Sequence, residues 1–321
     1  MQRNRRIARA AAAVLLAVGP VLFCAGPAYA DNPWGSSYFP NVPLLTQDGK
    51  TVHFYDDLLK GKAVAINLIY TSCQNECPLE TARLVQVQKL LGDHVGKDIY
   101  FYSISIDPKQ DTPAVMKEYA KKFGAGAGWL FLTGKEEDVK LIGKKLGLSK
   151  SNDRALTDGH TPILMIGHEP TGQWMQNSAV DNPRFLAAQI TMFMGWKNTQ
   201  PSASYGTVSK QWAPDTAAYI FQSRCSPCHS IGKGDSVGPD LAGVTSRRGR
   251  PWLLRYLRAP DQLRAANDPI ALALFEKYKK VPMPNLRLTD GEIAMLLAFL
   301  EAKSASVEQH EQHAHAPAPS N

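Results

Sequence analysis

The sequence predicts two domains in tandem, an α/β domain followed by a small all-α domain. The chain has 321 residues, which is long enough for two ordinary domains, and 44% of them are hydrophobic, as is typical of globular proteins. Apolar runs of strand length alternate with amphipathic helical segments as far as residue 194, which indicates a layered α/β architecture. Beyond residue 210 only helical periodicity remains, so the second domain is expected to be all-α.

The positive charge of the chain gives no reason to expect a nucleic-acid partner. The formal net charge is +7, but four arginines lie in the first thirty residues, where there are no acids, and the rest of the chain carries only +3. No basic face interleaved with aromatic residues follows. We therefore exclude nucleic acid from the expected partners.

Residues 1–30 are predicted to be an export signal. An arginine-rich start leads into an apolar run from Ala10 to Ala25, and Ala28-Tyr29-Ala30 provides a small-residue cleavage pattern. Cleavage after Ala30 would release a periplasmic protein. The alternative is an uncleaved anchor that keeps the protein at the membrane.

The α/β domain is predicted to span 31–196. Its first strand, 63–70, is a near-continuous apolar run, which suits a strand that is buried on both faces. Asp111-Thr112-Pro113 is a typical helix start, with a capping residue close before a proline in the first turn. The other predicted elements are a lead-in hairpin in 31–61, helix 79–91, strand 99–106, the helix ending near Phe123, strand 129–132, helix 136–146, strands 162–166 and 173–176, and helix 184–194.

A polar segment without periodicity, 197–210, is predicted to link this domain to a helical domain at 211–303. Its predicted helices are 215–223, 251–257, 271–278 and one that begins at the capping box Thr289-Asp290-Gly291-Glu292. The tail, 304–321, contains several histidines and prolines and is predicted to be disordered. Loose metal binding by those histidines is the alternative.

The run Cys225-Ser226-Pro227-Cys228-His229 is the pattern of a c-type haem attachment site. Each thiol can add to one vinyl group of the porphyrin, and His229 can then bind the iron from one face. The alternatives are a disulfide or half of a zinc site, although no second Cys/His pair with metal spacing follows in this half. We expect one covalent haem c, which also implies export because such attachment occurs outside the bacterial cytoplasm.

The iron needs a second ligand on its other face, and Met283 is the best candidate. Methionine is a common partner of histidine in cytochromes, and Met283 lies between two prolines that favour an extended loop. Met295 is the rival, but it falls inside a predicted helix, where a role in the core is expected.

The second half resembles a class I cytochrome c. The resemblance rests on three stretches: Cys225 to His229, Gly238-Pro239-Asp240-Leu241-Ala242-Gly243-Val244, and Met283-Pro284 followed by Leu288 to Ile293. It implies a small all-helical fold with Pro239 near His229.

A second pair of cysteines, Cys73 and Cys77, lies where the first buried strand meets a helix. A helix N-terminus lowers the pKa of a thiol, so we expect thiolate character here. Two thiolates and one imidazole suit copper, while a plain disulfide is the alternative. The candidate imidazoles are those of His53, His94, His160 and His168, of which His160 comes just before a predicted strand.

The first half resembles the Sco/SenC family, thioredoxin-like copper proteins that help assemble the binuclear copper centre of cytochrome oxidase. The resemblance covers 41–194 and rests on Cys73 to Pro78, Ser105-Ile106-Asp107-Pro108, Asp111-Thr112-Pro113 and His160. It implies that Cys73, Cys77 and His160 bind the copper.

The sequence therefore predicts an exported, haem-containing copper protein that transfers electrons and serves as a copper chaperone or redox factor for cytochrome c oxidase assembly. Expected partners are the copper-bearing oxidase subunit, other copper proteins and redox proteins. The alternative is a thiol–disulfide oxidoreductase in which Cys73 and Cys77 are the redox-active pair, as Pro162 resembles the proline that faces the dithiol in thioredoxins. Peroxide reduction is a further alternative, so enzymatic activity stays open. Copper and haem each change by one electron whereas a disulfide needs two, which favours copper.

Overall fold

The computed structural model of the chain describes residues 34–74, 76–149, 161–196 and 216–314, with the side chains of the last segment described to Val307. The predicted signal at 1–30, the predicted linker at 197–210 and the candidate ligand His160 lie outside these residues, so those assignments stay predictions. No helix in the described part of the chain is both long enough and apolar enough to span a membrane.

The described residues of the first half form a mixed seven-stranded sheet in the order β2-β1-β5-β4-β3-β6-β7. The strands are β1 (Pro43–Thr46), β2 (Thr51–His53), β3 (Ala63–Ile69), β4 (Tyr100–Ser105), β5 (Trp129–Gly134), β6 (Ile163–His168) and β7 (Gln173–Ser178). The central strands β3, β4 and β5 are parallel, while the strands on either side pair antiparallel. The predicted strands and the lead-in hairpin are confirmed.

Helices cover both faces of this sheet, and successive residues of β3 point alternately into the two cores that lie between the sheet and these helices. Ala65 and Ile69 join the core beneath α1 (Glu76–Leu91), α2 (Pro113–Phe123) and α4 (Pro183–Phe193). Ile66 and Leu68 join the opposite core, which includes α3 (Glu136–Lys145) and a π-helical turn at Phe54–Leu59. All seven residues of β3 are buried, as its apolar run predicted.

Helix α1 begins at Glu76, three residues before the predicted start, and it is buried around most of its circumference. An ordinary surface helix buries only one stripe. The burial of α1 therefore indicates that it is covered on the side away from the sheet as well, by the residues described below.

The described part of the second half contains helices joined by loops and no strand, which confirms the predicted fold class. Its helices are α5 (Thr216–Ile220), α6 (Val244–Arg247), α7 (Arg250–Arg258), α8 (Pro260–Ala265), α9 (Pro269–Lys277) and α10 (Asp290–Ala314), with a π-helical turn at Phe221–Cys225. Thr289 and Glu292 form the predicted capping box: the Glu292 amide donates to Thr289 Oγ1 at 3.2 Å, and the Thr289 amide donates to Glu292 Oε2 at 2.8 Å. The prediction of disorder from Ser304 is wrong as far as Ala314, because α10 continues to that residue.

Candidate functional site

The loop that carries Cys73, whose described residues are 70–74, is called the cysteine loop below. It follows the carboxyl end of β3, in the middle of the sheet. Cys73 is in the loop after the strand and Cys77 is in the first turn of α1. Both side chains are buried, and their sulfur groups hydrogen-bond to each other. Neither is in a disulfide in this structure, so the pair stands as a buried dithiol at the end of a central strand.

The pKa of Cys77 is raised well above its usual value, mainly by its hydrogen bond to Cys73 and by burial. The prediction that the helix N-terminus lowers this pKa is wrong for Cys77. A helix dipole contributes a fraction of a unit charge, whereas removing a thiolate from water and placing it beside a second sulfur both disfavour the charge. The metal-free Cys77 therefore favours its protonated form.

Asp111 holds the start of the cysteine loop. It is fully buried, and its carboxylate accepts hydrogen bonds from the Thr71 amide at 3.1 Å and from Ser105 Oγ at 2.6 Å. Thr112, rather than Asp111, caps α2, because its Oγ1 accepts from the Val115 amide at 3.4 Å. Asp111 thus ties the loop after β3 to the end of β4.

A chain of buried hydrogen bonds lies beneath the cysteines. Trp129 Nε1 donates to Ser103 Oγ, which donates to Asn67 Oδ1 at 2.7 Å. Asn67 Nδ2 then donates to Glu80 Oε1 at 2.7 Å. Burial raises the pKa of Glu80 well above its usual value, and Glu80 lies close enough to Cys73 for the two charges to interact. Burial thus favours the neutral form of this carboxyl group near the dithiol.

The described histidines of the first half are engaged away from the cysteines. His168 pairs with Ala63, at the opposite end of β3 from the cysteine loop. His53 faces Asp57, and His94 faces Asp98 with a 2.6 Å contact. This leaves His160, outside the described residues, as the remaining candidate from the sequence.

The register of β6 is compatible with that candidate. Leu164 pairs with Asn67, so β6 begins at the edge of the sheet where β3 ends and the cysteine loop starts. Among the described residues, no group of three or more His, Cys, Asp or Glu side chains could hold a metal ion. Two adjacent thiols fit a soft metal ion, and the third ligand has to come from elsewhere.

In the second half, a cavity of about 810 Å³ lies between the helices, within the described residues. Cys225, Cys228, His229 and Met283 all contribute to its wall. Burial raises the pKa values of Cys225 and Cys228 to about 12. The two predicted attachment cysteines and both predicted axial ligands therefore face one space, as a haem would require.

His229 is held in the form that can bind iron. Its Nδ1 contacts the Pro239 carbonyl oxygen at 2.9 Å, so the proton is assigned to Nδ1 and the lone pair of Nε2 is available. Burial also lowers the pKa of His229, which keeps the ring neutral. A Cβ on Gly238 would lie 2.6 Å from the His229 ring, so only glycine permits this approach.

Met283 and its rival Met295 occupy different environments. Met283 is half-buried and lines the cavity, whereas Met295 is 41% exposed on α10. The backbone carbonyl of Met283 accepts a hydrogen bond from Arg264 Nη1 at 3.2 Å. The placement of these residues fits a haem with His229 and Met283 as its axial ligands.

Residues of the second half cover the side of α1 that faces away from the sheet. Gln86 Nε2 donates to the Ser226 carbonyl at 3.2 Å, and Cys228 packs against the same core as Cys73 and Cys77. Arg83 on α1 is only 1% exposed and interacts electrostatically with Cys228. The two halves are therefore in contact through α1.

Sequence reasoning overlooked four polar residues of this region: Gln74, Glu80, Arg83 and Arg264. Glu80 and Arg83 carried a usable signal, because they interrupt the apolar pattern of the helix beside Cys77. Arg83 Nε and Nη1 have no hydrogen-bond partner within the described part of the chain. Nothing local indicates that Gln74 and Arg264 are partners, since they meet only in the folded chain.

Family models match both halves. A model described as SCO1/SenC matches residues 37–194, and one described as Cytochrome c matches residues 215–304. The first matched range ends before the predicted linker at 197–210, and the second begins after it.

Curated relatives match the first half. A SCO2-like protein of Rickettsia felis is 34% identical over 125 residues, which are 39% of this chain and 58% of the relative. A SCO2-like protein of Rickettsia prowazekii is 31% identical over 146 residues, covering 43% of this chain and 67% of the relative. A putative copper-binding protein of Stutzerimonas stutzeri is 28% identical over 109 residues, covering 34% and 52%. The chain thus spans 58% of the length of the first of these relatives.

Among solved structures, that of a SCO1/SenC family lipoprotein from Bacillus anthracis is 25% identical with a TM-score of 0.41, covering 48% of this chain and 93% of that one.

Proposed function

Because the chain belongs to the SCO1/SenC family and carries a cytochrome c domain behind its SCO1/SenC domain, we propose that it is an exported copper-binding, haem-containing electron-transfer protein. In this role it delivers copper, or keeps copper and its thiols reduced, during cytochrome c oxidase assembly. Its partners are the copper-bearing subunit of the oxidase and redox proteins outside the cytoplasm. The predicted signal at 1–30 supports export.

The observation that carries the proposal is the position of α1. Its first turn holds Cys77, and its outer side contacts the segment that bears Cys225 and Cys228. One helix thus supports both candidate redox sites. One-electron exchange is the chemistry that bound copper and haem iron would supply there.

The chain's own residues prepare the copper site. Cys73 and Cys77 supply two soft sulfur ligands, Asp111 fixes the loop that carries Cys73, and burial excludes water from both sulfurs. Binding must release the thiol protons, because only thiolates bind the metal strongly. His160 is the proposed third ligand, as implied by the family resemblance and by the start of β6 at the same edge.

Anaerobic titration of the mature, haem-loaded protein with copper tests the proposal. We expect one tight copper per chain. Cys73→Ser or Cys77→Ser should abolish tight binding, while His160→Ala should weaken it and change the Cu(II) spectrum. His168→Ala is the matched control, because His168 lies at the far end of β3 and should leave both unchanged. An effect of His168→Ala without one of His160→Ala would show that the ligand assignment is wrong.

Thiol–disulfide exchange is the second candidate, and the hydrogen bond between Cys73 and Cys77 favours it because the sulfurs are already adjacent. The raised pKa of Cys77 disfavours it, because the thiolate is the attacking species. Protein that reduces a mixed disulfide rapidly at neutral pH but does not bind copper would establish this alternative.

A further inference from the structure

Arg264 is in contact with both candidate metal-binding loops. Its Nη2 donates to Gln74 Oε1 at 2.5 Å, and its Nη1 donates to the Met283 carbonyl at 3.2 Å. Gln74 directly follows Cys73, and Met283 is the proposed axial ligand of the haem. A single guanidinium group in α8 therefore joins the cysteine loop of the first half to the loop that carries Met283, residues 278–289, which is called the methionine loop below.

The local surroundings hold this guanidinium in place. Arg264 is half-buried, it hydrogen-bonds to Tyr256, and its guanidinium carbon lies 5.7 Å from the centre of the Phe275 ring. The donors of arginine have a fixed fork geometry, so one donor cannot turn without the other. Movement of either partner loop is therefore transmitted to the other through a stiff connection.

The methionine loop depends on such support. Met283 stands between two prolines, which have no backbone N–H groups to anchor it. Lys279 and Lys280, four and three residues before Met283, both have a φ of +58°, a left-handed conformation that is unfavourable for lysine. The backbone amides of Lys280 and Val281 donate hydrogen bonds at the start of the loop, and the hydrogen bond from Arg264 restrains the Met283 residue itself.

We propose that Arg264 is a positioning residue that couples the state of the cysteine loop to the strength of the bond between Met283 and the haem iron. The coupling rests on the proposed function, since it assigns copper to Cys73 and Cys77 and haem to the helical domain. Copper would replace the hydrogen bond between the two sulfurs with two metal–sulfur bonds and release the thiol protons, and Gln74, next to Cys73, would shift with the loop. Because linkage is reciprocal, the methionine bond in turn changes the affinity for copper.

Competition by imidazole for the ferric haem of the copper-free, full-length protein measures how firmly Met283 is held. Gln74→Ala removes only the hydrogen bond between Gln74 and Arg264, and it should tighten imidazole binding roughly fivefold, as expected for one hydrogen bond. Arg264→Gln should tighten it at least as much. The double variant should match Arg264→Gln alone, because both changes remove the same contact.

Three variants serve as references. Gln74→Glu keeps an acceptor for Arg264 and should bind imidazole as weakly as the unmodified protein. Arg258→Gln removes another arginine of the same domain, which pairs with Asp290 on α10, and should have no effect. Met283→Ala gives the limit in which no methionine competes.

Copper provides the second arm. Copper should change the imidazole affinity of the unmodified protein but not that of Gln74→Ala, although both bind the metal. Additive effects of Gln74→Ala and Arg264→Gln, or no effect of either, would overturn the proposal. If copper does not bind at all, the proposed copper function fails, yet the copper-free measurements still decide the role of Arg264. Retention of haem through acid–acetone extraction, checked first, shows separately that the haem assignment holds.

Discussion

At the scale of single residues, Cys77 shows how burial can reverse the effect of a helix N-terminus. Its position in the first turn of α1 favours the thiolate, but its contact with Cys73 and its burial raise the pKa. The raised pKa makes Cys77 a weaker nucleophile, and the pair is still able to bind a metal that displaces protons.

Copper affinity should therefore rise with pH. Because the folded-state pKa of Cys77 is raised, the metal must displace a thiol proton throughout the neutral range, and displacement becomes easier as protons become scarcer. We expect the affinity to increase about tenfold per pH unit for each thiol that loses a proton. Competition titrations with a chelator of known pH dependence, from neutral to alkaline pH, provide the measurement. A pH-independent affinity would mean that the cysteines are already ionised before copper arrives.

Asp111 belongs to the scale of elements, because it joins the loop after β3 to the end of β4. Asp111→Ala should leave the Thr71 amide and the Ser105 hydroxyl without their acceptor, at a cost of about 1–3 kcal/mol. Exchange of the Thr71 amide hydrogen should accelerate, and copper affinity should fall because the loop that carries Cys73 is released.

Asp111→Asn is the matched control. The amide keeps one acceptor oxygen, so it should restore much of the protection at Thr71. Burial already raises the pKa of Asp111, which makes a neutral side chain a reasonable substitute at this position. Unchanged exchange at Thr71 in Asp111→Ala would show that the loop is held by other contacts.

At the scale of the whole molecule, the contact through α1 would give the proposed electron exchange between the two candidate sites a fixed path. We expect reduced haem to be oxidised by added Cu(II) in stopped flow at a rate that does not depend on protein concentration. The reaction should be lost in the Cys73→Ser/Cys77→Ser variant. The alternative is that the fusion only places two independent functions on one chain.

Lengthening the linker distinguishes two domains that are held in contact from two domains that are only tethered. Inserting glycine and serine residues within 197–210 dilutes a tethered domain, because the effective concentration falls with linker length. A pair of domains already in contact through Gln86, Ser226 and Arg83 should keep its rate. A rate that drops with each insertion, or that rises linearly with protein concentration, would contradict the docked path.

The sequence by itself determined the features whose chemistry is local. The attachment motif ending in His229 and the capping box at Thr289 lie within a few consecutive residues, so their spacing alone specifies what they can do. The buried strand β3 was equally readable, because an uninterrupted apolar run has no solvent face. The two domain types followed from the same local patterns.

Only the tertiary structure decided how the two sites are related. Arg264 and Gln74 are 190 residues apart, and Asp111 and Thr71 are 40 apart, so neither contact follows from a local sequence pattern. The raised pKa of Cys77 depends on its burial and on its hydrogen bond to Cys73, and the buried Arg83 interacts with Cys225 and Cys228 of the other half. Burial and long-range contacts are properties of the whole packed chain, and for that reason the local pattern around Cys77 pointed to the wrong protonation state.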